Sequence, residues 1–398
     1  MKRIILRPGR EKPVHNRHPW VFSGAIARVE DSPNDGDIVV VTDQDGNFLA
    51  QGYYNSHSQI AVRLLSWDES EPIDRAFFRR RLERAIAARQ DLAADESTTA
   101  YRLVFAESDG LPGLVVDRYN DYLVAQFLTL GVDCQKSLIT GLLAEMLSPT
   151  GIYERSDVDV RQYEGLEPST GPLWGETPPD LMEIQENGYR FLVNVKTGQK
   201  TGFYLDQREN RARVRDFSAG REMLNCFAYT GGFAVYAAAA GAGPITNVES
   251  SAEALGLAQR NMTLNGLESG REDIDTYEEG DVFTILRRYR DQGRSFDLVI
   301  LDPPKFAHTQ AQIASAARGY KDINLLALQL LRPGGILFTM SCSGLVSADL
   351  FQKIVFGAAI DAGRDVQIIG RLTQGVDHPI LLSFPEGEYL KGLICRVL

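Results

Sequence analysis

The chain has 398 residues, 44% of them hydrophobic and 24% charged, with a formal net charge of −11. This length allows two or three domains with sizeable cores, and the composition is ordinary for a soluble globular protein. The acidic balance argues against a wholly basic nucleic-acid-coating protein. No apolar run approaches the roughly 20 residues that span a bilayer, and Met1 to Leu6 is too short for a signal peptide, so a cytoplasmic protein without membrane association is expected.

Residues 1 to about 72 alternate short β-rich runs (VFSGAIARVE, DIVVVTD, FLAQGYY, IAVRLLS) with turn signals such as SPNDGD and DQDGN, which predicts a small all-β module. The stretch FFRRRLERAIAARQDLA then has a helical period, with Phe78, Leu82, Ala85 and Ile86 on one side. Strand-like runs YRLVFAE, GLVVDRY and YLVAQFL follow, then a helix over SLITGLLAEML, and the Pro- and Gly-rich PSTGPLWGETPPD reads as a boundary near residue 180. After a hairpin, LMEIQENGYRFLVNV, strands alternate with helices, the pattern of a parallel, doubly wound sheet. Its expected strands are MLNCF, ITNVES, DIDTY, FDLVILD, GILFTMSC, VQIIGRL and GLICRVL, with helices such as SAEALGLAQRNMTLNG and INLLALQLL between them. DHPILLSFPEGEY joins the last two strands, which can then pair as an antiparallel hairpin.

Positive charge is concentrated in two places. Met1 to Trp20 carries Lys2, Arg3, Arg7, Arg10, Lys12 and Arg17 against Glu11 alone, and Arg75 to Arg89 carries six arginines. A merely solvated face is the plain alternative for either cluster. Cys134, Cys226, Cys342 and Cys395 are scattered, without a Cys-x-x-Cys pair or nearby histidines, so neither a metal site nor a disulfide framework is expected.

Doubly wound sheets bind ligands at the carboxyl ends of their strands, and the first strand-turn-helix unit usually holds the cofactor. Here that unit is NCFAYTGGFAVYAAAAGAG. Gly231 and Gly232 allow close backbone approach, and Glu249, 18 residues after Gly231, can grip ribose hydroxyls. The missing G-x-G-x-x-G argues against a pyrophosphate cradle and for a ribose ligand without phosphate, such as S-adenosylmethionine. A tight turn at the glycines and a helix-starting carboxylate at Glu249 are the structural alternatives. Asp281 suits a helix cap and an adenine amino-group acceptor equally. Asp206 and Glu209 have capping-box spacing, whereas Lys200, Phe203 and Tyr204 beside them suit a lid over the cofactor.

Asp302 closes the fourth strand of this sheet and Cys342 the fifth, so the two can converge at one edge. Cys342 alone could be a small buried hydrophobe, but the flanking Ser and Gly of SCSG suit an exposed turn. A pyrimidine C5 becomes nucleophilic once a thiolate adds reversibly at C6. Asp302 can hold the N3/N4 edge of such a ring. Lys305 can act on O2 or a phosphate, or be a plain surface lysine, and His308 reads as an exposed loop residue. No base for the C5 proton is identified.

Taken together, HPWVFSGAI, ESDGLPGLVVDRY, KTGFYLDQRENR, NCFAYTGGF, LDPPKF and SCSG resemble, over essentially the whole chain, the RlmI-type cytosine-C5 methyltransferases of large-subunit (23S) ribosomal RNA. The resemblance implies a multidomain α/β protein: a small β-rich PUA domain (1–73), a central α+β domain (74–180) and a C-terminal Rossmann-like doubly wound methyltransferase domain with an antiparallel last strand (181–398). It implies S-adenosyl-L-methionine as cofactor, Cys342 as nucleophile, and Asp302 and Lys305 in a catalytic corner. By the same resemblance Asn225, Phe227, Tyr229, Thr230, Gly231, Gly232, Glu249, Ser250, Asp281 and Asp302 hold the cofactor, and the segment of Lys200, Phe203 and Arg208 covers it. The chain departs from the pattern in having Asn16-Arg17 where a glycine is expected before His18. Large-subunit rRNA or its precursor is the expected partner, met through the two basic clusters, and a homodimer stays open. Other methyltransferases of this architecture, acting on guanine N7, an exocyclic amine or uracil C5, are the alternatives, as is a non-catalytic ribosome-assembly factor. Against amine methylation, Lys305 separates the two prolines from Phe306.

Overall fold

A computed structural model describes residues 2–271 and 274–398, and the chain forms two compact units. The first runs to Ile184 and takes in Val193–Leu205 and Asp377–Gly387; the second comprises Gln185–Leu192, Asp206–Val376 and Glu388–Leu398. Among the described residues no helix is long and apolar enough to cross a membrane.

The first unit opens with a six-stranded sheet made of β1 (Arg3–Leu6), β2 (Trp20–Val21), β3 (Ile26–Glu30), β4 (Ile38–Thr42), β5 (Phe48–Tyr54) and β6 (Val62–Ser66), in the order β2-β6-β5-β4-β1-β3. The β-rich runs therefore form strands, but VFSGAIARVE is two strands broken by a 3-10 turn at Ser23–Ala25, and β1 and the short α1 (Lys12–His15) were not expected. Arg17 sits at φ 63°, so the turn that would favour glycine is kept with an arginine in the left-handed region. Its guanidinium lies over Trp67, 5.4 Å from the ring centroid.

The expected long helix divides into α2 (Arg75–Ala87) and α3 (Gln90–Ala94). Arg89, at the break, is buried because its guanidinium clasps both carboxylate oxygens of Asp109, at 2.8 and 2.9 Å. Strands β7 (Ala100–Phe105), β8 (Leu114–Tyr119) and β9 (Tyr122–Phe127) follow, then α4 (Leu130–Asp133), α5 (Lys136–Leu147), β10 (Gly151–Ser156) and β11 (Ser169–Gly175). Because β9 and β10 are parallel, a crossover has to join them, and α4 and α5 supply it. The stretch PSTGPLWGETPPD is not only a connection: its first part is β11, antiparallel to β10 at the sheet edge, where Pro172 has no ladder donor to lose. Arg63 on β6 pairs with Glu107 and Glu164, tying the small sheet to this segment through buried charges.

The hairpin β12 (Met182–Glu186) and β13 (Tyr189–Val193) leads to α6 (Arg208–Val214). The expected capping box is absent there: Gln207 is the N-cap and makes no side-chain cap, because Asp206 accepts from the Tyr389 hydroxyl and Glu209 pairs with Arg208. The doubly wound region contains β14 (Met223–Cys226), α7 (Gly232–Ala239), β15 (Ile245–Glu249), α8 (Ala252–Leu264), β16 (Thr276–Glu279), α9 (Val282–Asp291), β17 (Phe296–Leu301), α10 (Ile313–Leu330), β18 (Leu331–Ser341), α11 (Ala348–Ala362), β19 (Val366–Thr373) and β20 (Lys391–Val397). The sheet order is β16-β15-β14-β17-β18-β20-β19. The first five are parallel, and β20, the last strand in the chain, is antiparallel to both neighbours. Asp273, in the expected strand DIDTY, lies outside the described residues. Residues 377–387, between β19 and β20, fold with the first unit, where Asp377 accepts from the Arg102 amide at 2.8 Å.

Crossovers between parallel strands are right-handed, so the reversal of strand order at β14 puts α7 and α8 on one face and α9 and α10 on the other. A core of α9, α10 and α11 against β17 and β18 includes Phe296, Tyr320, Leu328 and Phe351. The opening of the second unit is fastened by a buried pair: Arg211 donates from Nε and Nη2 to the two oxygens of Glu186 at 2.7 and 2.6 Å, and the Tyr236 hydroxyl donates to Glu186 at 3.0 Å. Removing one partner of such a pair strands the other charge. Arg211→Met is therefore expected to lower stability by about 3–5 kcal/mol in urea unfolding, with Arg211→Met/Glu186→Met recovering much of it; a loss under about 1 kcal/mol would show the pair to be dispensable.

Candidate active site

Two groups of candidate residues gather at the carboxyl edge of the second unit's sheet, where ligands bind in this topology. The first lies over β14 and β15. Phe227 (φ 58°), Tyr229 (φ 47°) and Gly231 (φ 78°) give the turn after β14 three residues in the left-handed region, two of them aromatic. For Phe227 and Tyr229 such conformations cost of order 1–3 kcal/mol each and persist where surroundings enforce them. The enforcing group is Glu249: its Oε2 accepts from the Tyr229 amide at 2.9 Å, while Oε1 accepts from the Ser250 and Ser251 amides at 2.8 and 3.2 Å. The cap of α8 is Ser251 rather than Glu249, since its hydroxyl accepts from the Ala254 amide.

Asn225 and Asn247 face each other across β14 and β15, joined Nδ2 to Oδ1 at 2.9 Å. Asn225 Oδ1 and the hydroxyl of Thr230 are buried without a hydrogen-bond partner. Buried polar atoms of that kind mark a place for a polar ligand. A Cβ on Gly231 would stand 2.8 Å from the Ala258 Cβ, and Gly232 opens α7. Asp281 caps α9, accepting from the Thr284 amide at 2.9 Å and its hydroxyl at 2.8 Å. A turn held open by a carboxylate, unpartnered amide and hydroxyl oxygens, and an acidic residue after the third strand fit a ribose-bearing ligand such as S-adenosylmethionine.

Of the three expected lid residues, Arg208 is a buried α6 residue in the second unit, whereas Lys200 and Phe203 belong to the first. There Lys200 (φ 55°) sets its ammonium 5.1 Å from the Tyr204 ring centroid, and the buried Phe203 donates its amide to the Tyr119 hydroxyl at 3.2 Å.

The second group lies over β17 and β18. Asp302, half-buried, accepts from Gln207 Nε2 at 2.9 Å, and Gln207 in turn accepts from Asn210 at 2.6 Å. Cys342 is half-buried, and its thiol points at the Pro303 carbonyl, 3.8 Å away. Beneath it, the buried Tyr320 hydroxyl accepts from Ser341 at 2.9 Å and lies 3.1 Å from the Ser343 hydroxyl. Phe306 packs on Tyr320, with centroids 4.6 Å apart, anchoring the segment after the prolines, while Lys305 and His308 are exposed. Burial pushes the thiols of Cys226 and Cys395 up, the latter to about 12. Burial and then the nearby Asp133 and Asp37 carboxylates also raise that of Cys134, in the first unit. Cys342 is thus the cysteine placed at the edge where chemistry takes place in such sheets. Gln207, Asn210, Tyr320 and Lys391 were not singled out from sequence; Gln207 and Asn210 lay inside the quoted KTGFYLDQRENR, but nothing local marked the other two.

The Gly231 turn yields a direct measurement. Gly231→Ala combines a left-handed alanine with a contact too short to keep, so a loss of about 1–3 kcal/mol in urea unfolding and weaker calorimetric binding of S-adenosylhomocysteine are expected. Gly256→Ala is the control: nothing lies within 4 Å of its added Cβ, and in the interior of α8 it should be neutral or slightly stabilising. Equal behaviour of the two variants would remove any special role from the Gly231 turn.

The chain matches the PUA-like domain family over residues 4–67 and the S-adenosylmethionine-dependent methyltransferase family over residues 159–378. It is 54% identical to the protein named ribosomal RNA large subunit methyltransferase I from Shewanella amazonensis, covering 99% of each chain. It is 49% identical to the protein of the same name from Klebsiella pneumoniae strain 342, covering 100% of this chain and 98% of that one. Among solved structures, an S-adenosylmethionine-dependent methyltransferase from Streptococcus mutans has the same fold, with a TM-score of 0.86 at 22% identity and full coverage of both chains. A further solved methyltransferase, complexed with SAH, shares the fold with a TM-score of 0.87, also at 22% identity and full coverage. The chain therefore belongs to the ribosomal RNA large subunit methyltransferase I family, S-adenosylmethionine-dependent methyltransferases with a PUA-like domain ahead of the methyltransferase domain.

Proposed function

We propose that the protein forms 5-methylcytosine in large-subunit ribosomal RNA or its precursor, in the cytoplasm, through a covalent bond between Cys342 Sγ and C6 of the base. The observation that carries this reading is the approach of the Cys342 thiol to the Pro303 carbonyl at 3.8 Å, which joins a nucleophile to an acidic corner at one sheet edge. Amine methylation needs no thiol there. The relatives' name supplies the substrate class, large-subunit rRNA.

On this reading Asp302, steadied by Gln207, hydrogen-bonds the N3/N4 edge of the ring, and Lys305 meets O2 or a phosphate. The Cys342 thiolate forms the S–C6 bond, and the displaced ring electrons make C5 enamine-like. Residues 225–232, Glu249, Ser250 and Asp281 would hold S-adenosylmethionine and the segment containing Lys200, Phe203 and Arg208 would cover it; when bound it would offer C5 an electrophilic methyl group, the S–CH3 bond breaking to leave S-adenosylhomocysteine. Loss of the C5 proton to water then places its electron pair in C5=C6, and the S–C6 bond breaks to regenerate the thiolate. The division into residues 1–73, 74–180 and 181–398 assigns RNA binding to the first segment and the transfer to the last.

Cys342→Ala should abolish rRNA methylation in mass mapping of the modified nucleoside. Methylation at the normal level would refute the covalent mechanism, and a methylated uracil or guanine as the wild-type product would refute the substrate.

The two basic clusters also separate. In α2, Arg75 and Arg79 pair with Glu145, Arg80 pairs with Glu71 and Arg84 donates to the Asp109 carbonyl, and just beyond the helix Arg89 pairs with the Asp109 carboxylate. Arg3, Arg7, Arg10 and Lys12 of the N-terminal cluster are exposed. Arg7→Glu/Arg10→Glu should therefore weaken binding to naked rRNA about tenfold or more and flatten its salt dependence. The expected change for Arg75→Gln/Arg79→Gln is small; the reverse ranking would move the RNA contact to α2.

A further inference from the structure

Lys391 opens β20 directly opposite Ser341, the last residue of β18, and is 5% exposed. Its Nζ donates to the Ser343 and Val346 carbonyls, each at 2.8 Å. Both carbonyls belong to the turn that begins at Cys342, so the lysine is clamped across the backbone that carries the thiol. No side-chain carboxylate among the described residues forms an ion pair with it. A buried ammonium is costly unless an anion compensates it. Burial lowers the Lys391 ammonium to about 8, while the charges of Glu388 and of Cys342 act to raise it.

We propose that Lys391 is a positioning residue for Cys342: its ammonium fixes the turn 342–346 and is the counter-charge that favours the thiolate over the thiol. The proposal rests on the reading of Cys342 as the nucleophile. The Cys342 proton leaves to solvent and no bond to the lysine forms or breaks; near neutral pH, below its own value of about 8, Lys391 stays mostly protonated. The other ionisable groups around this turn do not supply a fixed cation. Tyr320 on α10 is a phenol whose titration burial raises, and it is occupied with Ser341 and Ser343. Asp302 and Glu388 are acidic, and Lys305 is exposed at the corner after β17. Loss of the Lys391 charge therefore removes the interaction that selects the reactive form of the sulfur.

The test is the pH profile of Cys342 alkylation by iodoacetamide, read by peptide mass spectrometry on the full chain so that Cys134 is counted separately. In the wild type the midpoint should fall below the ordinary thiol value of about 8.5; a midpoint at or above it overturns the proposal without any variant. Lys391→Gln, which keeps N–H donors but no charge, and Lys391→Met should raise the midpoint by about one pH unit, a tenfold loss of thiolate at neutral pH. Lys391→Arg should restore most of it. The methylation profile of Lys391→Gln should move in parallel, with activity recovering at high pH. A folded, uncharged variant with an unmoved midpoint also overturns the proposal. If Cys342→Ala still methylates while the Lys391 variants shift alkylation, it is the nucleophile reading that fails and the coupling that stands.

Discussion

Parallel pairing of β17 with β18 is the constraint on which the candidate site depends. Leu301 lies opposite Thr339, so the residues after both strands emerge at the same edge, with Asp302 from one and Cys342 from the other. The turns that carry them are then fastened to each other. Phe306 stacks on Tyr320, the Tyr320 hydroxyl meets Ser341 and Ser343, and the Ala307 amide reaches the Ser343 hydroxyl at 3.4 Å. Each of these buried hydroxyls would cost about 1–3 kcal/mol if left unmade, so the network holds one arrangement of the two turns rather than several.

The neighbouring turn, after β14, is organised differently. There the backbone itself is strained, with Phe227 and Tyr229 in a region that bulky side chains avoid, and a single carboxylate, Glu249, links the turn after β14 to the start of the segment before α8. The sheet below is almost fully buried at Leu224, Cys226 and Val248, and such a packed base resists the relaxation that would release the strain.

Much of this arrangement was legible in the sequence. Apolar runs such as FDLVILD and GILFTMSC have no alternation, as expected for strands covered on both faces, and turn residues bounded them clearly. The two catalytic candidates were legible because each closes such a run. What escaped notice depends on contacts distant in sequence. Lys391 is 48 residues from Ser343, whose carbonyl it meets, and Gln207 is 95 from Asp302; neither has a local pattern that announces its partner. The break between α2 and α3 and the β11 edge strand escaped for the same reason: Arg89 answers to Asp109 and β11 to β10, and periodicity registers neither. The capping box at Asp206 and Glu209 failed in the opposite sense, since the spacing was right but Tyr389 and Arg208 took the carboxylates.

Net charge misleads about nucleic acid for a related reason. An ion acts over about a Debye length, roughly 8–10 Å at physiological salt, so a total of −11 says little about any one face. What matters is which cations are already engaged. Six arginines in Arg75 to Arg89 look like the stronger basic patch in the sequence, yet they face Glu71, Glu145 and Asp109. The N-terminal cluster has fewer acidic neighbours to answer it. Lys2 is paired with Asp37, but Arg3, Arg7 and Arg10 stand on the surface of a small sheet whose apolar side is buried around Ile4, Leu6 and Val41. A small sheet whose outward Arg3, Arg7 and Arg10 form no ion pair among the described residues offers a phosphate backbone charges for which no carboxylate competes, whereas the arginines of α2 already meet Glu71 and Glu145.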